Sequence, residues 1–73
     1  MSKCQVGVYE AGALKVLLER GPLNLYHDRP GDGRYEAVQN LLEHQWISED
    51  ATGAHHLLKR EDAVLEVDAW FAD

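Results

Sequence analysis

Four histidines and a single cysteine are the side chains of this 73-residue chain best suited to metal or nucleophile chemistry, and their spacing favours neither. His55 and His56 are adjacent, so on a strand they would point to opposite faces. His27 and His44 stand well apart from them, and no Cys or His pair has ligand spacing. A structural zinc site needs four ligands, which one cysteine and scattered histidines do not supply. Cys4 has no identifiable orienting group that would make it a thiol nucleophile. Pro30, Gly31, Asp32 and Gly33 form a turn, without the Lys and Ser/Thr of a phosphate-binding loop. The expectation is a protein that is not an enzyme and uses no metal or cofactor.

The carboxylates are a different matter, because their chemistry is attraction of a basic partner. Thirteen acidic residues against seven basic ones give a net charge of −6. Much of the excess sits at one end: Glu61, Asp62, Glu66, Asp68 and Asp73 lie in residues 61–73, which contain no basic residue. Such a face can steer a positively charged surface toward it, or can simply keep a small domain solvated. Cys4 alone cannot form an intrachain disulfide, which fits a reducing compartment, and the cytoplasm is the expected location. No apolar run has the length of a signal peptide or of the roughly 20 residues that span a bilayer, so no membrane role is expected.

These residues must be positioned by a single small domain, residues 1–73, whose size allows only about 60% of the unfolded chain's surface to be buried. Cys4, Val6 and Val8 alternate, a period suited to a short N-terminal strand or arm. From Glu10 to Arg20, Ala11, Leu14, Leu17 and Leu18 fall on one side at helical spacing, with Lys15 and Glu19 opposite. Gly21 followed by Pro22 stops that helix. Between Leu23 and Gly33 the turn residues leave room for at most one short helical turn. Asp32 or Gly33 can cap a helix from Arg34 to Gln45, with Val38, Leu41 and Leu42 as its apolar stripe and Tyr35 and Ala37 at the margins. Trp46, Ile47 and Ser48 read as a strand, and Ala51 to Ala54 as a glycine-containing turn into a second strand, His55 to Lys59. Val64, Val67 and Phe71 then line one side of a final helix, with Ala63 and Trp70 beside them. Trp70 and Phe71 are expected to close the core against the first helix, or alternatively to form a homodimer contact.

The fold class expected is α+β, with about three helices and a two-stranded hairpin. The run from Tyr35 to Asp62, YEAVQNLLEHQWISEDATGAHHLLKRED, resembles the winged helix-turn-helix family. That resemblance implies that Arg34 to Gln45 is the recognition helix and Thr52 to His56 the tip of the wing, and hence a role in binding duplex DNA.

The side chains of that helix argue against the role. With Val38, Leu41 and Leu42 inward, the outward positions are Glu36, Gln39, Asn40, Glu43 and His44. Gln39 or Asn40 could read an adenine edge, but Glu36 and Glu43 would oppose phosphates. Arg29, Arg34, His55, His56, Lys59 and Arg60 are the counterweight, a candidate phosphate clamp around the helix start and wing. On the last helix Asp62, Glu66 and Asp73 share a side opposite Val64, Val67 and Phe71, an acidic outer face. The expected function is a non-enzymatic protein-binding module that engages a basic protein surface through Glu36, Gln39, Asn40, Glu43, Asp62, Glu66 and Asp73. In size and charge it is similar to the small acidic antagonists, such as anti-CRISPR proteins, that phages use against host nucleic-acid machinery. The alternative is a small DNA-binding transcriptional regulator using Arg29, Arg34, Gln39, Asn40, His55, Lys59 and Arg60.

Overall fold

The computed structural model describes residues 6–27 and 34–72. The expectations for Cys4, Arg29, Asp73 and the Asp32 or Gly33 cap lie outside those residues, as does the side chain of Arg34. Among the described residues the chain is α+β: three α-helices, one 3₁₀ turn and a two-stranded antiparallel hairpin, an arrangement compatible with a winged-helix-like fold.

Helix α1 runs Val8–Arg20. It begins two residues earlier than the periodicity suggests, because Gly7 takes the N-cap position and its carbonyl accepts the Ala11 amide at 2.9 Å. Glu10 then sits in the first turn, where its charge complements the helix dipole. Val8 and Tyr9 are therefore helical and exposed, not strand, which corrects that part of the N-terminal expectation. Ala11, Leu14 and Leu17 are buried, as their spacing requires. The helix ends at Gly21, whose φ of +82° a residue with a Cβ would adopt only under strain, and whose amide reaches Leu17 O at 2.9 Å.

A single 3₁₀ turn, Leu25–His27, follows, and α2 spans Arg34–Glu43. Ala37, Val38 and Leu41 are buried, Leu42 is half-buried and packs on the core, and Tyr35 is exposed. The helix ends two residues before the expected Gln45. Trp46 N–H donates to Leu41 O at 2.9 Å and Gln45 N–H to Leu42 O at 3.2 Å, while Gln45 sits at φ +62°. That pair of bonds is a Schellman closure with a glutamine in the left-handed position that glycine normally takes. It turns the chain back so that Trp46 joins Leu41 in the core.

Strand β1 is Ile47–Glu49 and β2 is His55–Leu57, paired in the register Ile47 with Leu57, Ser48 with His56 and Glu49 with His55. The second strand is shorter than expected, since Leu58 and Lys59 both turn their amides to Trp46 O, at 2.9 and 3.4 Å. On its other edge β2 is pinned by a bridge to Leu23, with His55 N–H donating to Leu23 O at 2.7 Å. Helix α3, Arg60–Phe71, packs across α1. The core is one cluster of Leu14, Leu17, Leu25, Val38, Leu41, Trp46, Ile47 and Ala63.

Helix α3 presents a different face from the expected one. Ala63 and Glu66 are buried and Val67 is half-buried against the core, whereas Val64 is 41% and Leu65 66% exposed. Trp70 and Phe71 stay 41% and 38% exposed, so neither closes the core. Apolar residues occupy every side of this helix, and the side chosen is the one whose small Ala63 can meet the packed leucines of α1.

Candidate functional site

The outward face of α2 is as the spacing requires: Glu36, Gln39, Asn40, Glu43 and His44 are all exposed. It is also tied to the rest of the domain. Gln39 Nε2 donates to the Tyr26 hydroxyl at 2.8 Å, and the Tyr26 ring lies 5.0 Å from that of Tyr35 and edge-on to His55 at 5.1 Å. Burial, with the charge of Glu49 second, pushes the Tyr26 phenol above its ordinary value. The helix face, the 3₁₀ turn and the hairpin are thus joined by a seam of aromatic and amide side chains.

The hairpin separates its two histidines, as adjacency on a strand demands. His56 points outward and its Nε2 donates to Asp50 Oδ2 at 2.7 Å. The other carboxylate oxygen of Asp50 accepts from Thr52 N at 2.8 Å, Thr52 Oγ1 at 2.6 Å and Ala54 N at 3.1 Å. The Thr52 and His56 bonds hold the Asp50 carboxyl well below the usual carboxylate range. Gly53 completes the turn at φ +90°.

His55 is completely buried, which removes it from the candidate phosphate clamp. Its Nδ1 accepts the Leu25 amide at 3.1 Å, so the ring is the tautomer with hydrogen on Nε2. Nε2 makes no hydrogen bond; Glu49 Oε1 stands 3.4 Å away across the strand pair. The Leu23 bridge holds the following turn against β2, where the Leu25 amide meets Nδ1 and the Tyr26 ring stands edge-on to the imidazole.

Lys59 and Arg60 remain exposed at the start of α3. The Lys59 ammonium lies 5.1 Å from the Trp46 ring centre and donates to His44 O at 3.3 Å, so this cation stabilises the end of α2. A polar cleft of about 420 Å³ lies beside it, lined by Glu10, Asn40, His44, Trp46 and Lys59. An apolar groove of about 230 Å³ opens elsewhere, between Gly12, Val16, Leu25, Val38 and Phe71.

On α3, Asp62 is exposed as expected, beside Glu61 and Asp68. Glu66 is not: it is 4% exposed and accepts the Val6 amide at 3.3 Å, so it belongs to the fold and not to an acidic outer face. One turn on, Trp70 Nε1 donates to Val6 O at 3.0 Å. The pair four residues apart holds both main-chain polar groups of Val6, and the Val6 amide gives the buried carboxylate a donor. Phe71 lies beneath the Lys15 ammonium, 5.1 Å from its ring centre. The outward pair the sequence reading missed is Val64 and Leu65. Their only signal was the lack of a single apolar side on α3.

Among the described residues, no group of three His, Cys, Asp or Glu side chains is placed to hold a metal ion, and no helix is long and apolar enough to cross a membrane. No protein-family model, no curated protein and no solved structure matches the chain.

Proposed function

We propose that this protein is a non-enzymatic binding module, a winged-helix-like scaffold that offers carboxylates to a basic protein surface. The observation that carries the reading is the outward face of α2, where Glu36 and Glu43 are exposed and the stretch from Tyr35 to Gln45 contains no Lys or Arg. In a winged helix this element is the one offered to the DNA groove. Carboxylates there oppose phosphates, whose neutralisation by cations supplies most non-specific affinity. Against a lysine- and arginine-rich protein the same groups steer encounter and select the partner. Exposed Glu61, Asp62 and Asp68 on α3 add a second acidic surface. An inhibitory role like that of small acidic phage antagonists, anti-CRISPR proteins among them, follows by analogy of size and charge.

The second reading, a small DNA-binding regulator, draws on the exposed Lys59 and Arg60 beside the hairpin. It is weakened by the burial of His55, the engagement of Lys59 over Trp46 and the tether of Gln39 to Tyr26. Fluorescence anisotropy against random-sequence duplex DNA at low salt separates the two. The expected outcome is no micromolar DNA binding, together with salt-sensitive binding to a lysine- and arginine-rich polypeptide. Micromolar DNA affinity that falls steeply with salt and drops in Arg34→Ala would overturn the protein-binding reading.

A further inference from the structure

We infer that the outer face of α3 is the docking site itself, and that its occupant is a basic amphipathic helix of a partner protein. This inference rests on the protein-binding reading and assigns it a surface and a partner chemistry. Leu65, at 66%, is the most exposed large apolar side chain among the described residues, and Val64 beside it is 41% exposed. Ala69 continues the stripe from Leu65 at i+4, and both Ala69 and the C-cap residue Ala72 are exposed. Small residues beyond a leucine leave a shallow bed along which another helix can lie.

The charges around the stripe select the occupant. Glu61 and Asp62 precede Leu65 by one turn, Asp68 follows it by one turn, and all three are exposed. The exposed cation on this helix is Arg60, at its first residue. A helix with an apolar stripe flanked by Lys and Arg therefore meets apolar surface in the centre and carboxylates at the rim, the division found in helix-binding surfaces. A second copy of this chain fits poorly, because face-to-face pairing would bring Glu61, Asp62 and Asp68 against their counterparts in a protein whose net charge is already −6. Glu66 takes no part, being buried and bonded to the Val6 amide.

The test uses the full chain and a designed lysine-rich amphipathic helical peptide labelled for anisotropy, at an ionic strength of about 0.15 M. The expected result is saturable binding that Leu65→Ser and Asp62→Lys/Asp68→Lys each weaken by about tenfold or more, with the control Glu19→Lys, at an exposed position on α1, costing less than about threefold; the α2 pair Glu36→Lys/Glu43→Lys is titrated in parallel. A peptide with the same apolar stripe and Glu in place of Lys should not bind. Because Leu65 and the two aspartates are exposed, each variant should retain the far-ultraviolet circular dichroism and melting temperature of the parent. If the basic peptide binds but responds only to the α2 pair, the α3 assignment is overturned while the broader reading stands. If no basic probe binds, that broader reading falls and the α3 assignment with it. Sedimentation that finds a dimer broken by Leu65→Ser would replace the partner helix with a second copy.

Discussion

His55 is a residue whose chemistry looks functional and whose position is structural. Its Nδ1 is the acceptor for the buried Leu25 amide, so replacement by a shape-similar apolar residue leaves that amide without a partner. We expect His55→Leu to lower unfolding free energy by about 1–3 kcal/mol in urea titrations, the cost of a stranded buried donor. Asp50 is the opposite case, an exposed carboxylate organised by its own turn. Its folded-state affinity for protons is depressed, so its contribution is present above the ordinary aspartate pKa and is lost as pH falls below about 4. Asp50→Asn should flatten the acid side of the stability curve between pH 4 and 2, measured by thermal melts across that range. The phenol of Tyr26 moves the other way: raised in the fold, it stays neutral where the unfolded chain ionises, so stability should fall above about pH 10.

At the scale of the elements, helix bodies were legible and helix ends only partly so. The α1 stop at Gly21 follows from a glycine and proline in sequence, whereas the α2 stop uses Gln45 at φ +62°, a residue type with no such signal. A left-handed non-glycine residue costs about 1–2 kcal/mol, partly offset here by the Schellman bonds and the burial of Trp46. Gln45→Gly should therefore raise stability by up to about 1 kcal/mol after glycine's entropy loss, read as a higher denaturation midpoint at unchanged slope. Gly12 is a second handle. It lies inside α1 with nothing within 4 Å of where a Cβ would stand, so Gly12→Ala should stabilise the domain by roughly 0.5–1 kcal/mol. The hairpin was legible because Gly53 and the apolar run from Trp46 mark it, while the burial of His55 was not, since Leu25, whose amide bonds its ring, lies 30 positions away in sequence.

For the whole molecule, the decisive event is how α3 seats on α1. Asp62 and Glu66 are four residues apart, share one side of a helix in projection and differ completely in environment. Asp62→Ala should change stability by less than about 0.5 kcal/mol, whereas Glu66→Ala, which strips the Val6 amide of its acceptor, should cost about 1–3 kcal/mol. Chemical denaturation of the two variants side by side checks the contrast. By itself the sequence determined the α+β class, the order of elements, the inward faces of α1 and α2 and the polar, acidic outward face of α2, because period and turn chemistry are local properties. The tertiary structure alone decided which side of α3 faces inward, that His55 and Glu66 are interior and that Leu65 is outward. Helix α3 carries apolar residues all round, so its orientation is set by the shape of the surface it meets, and that surface is assembled from residues distant in the chain.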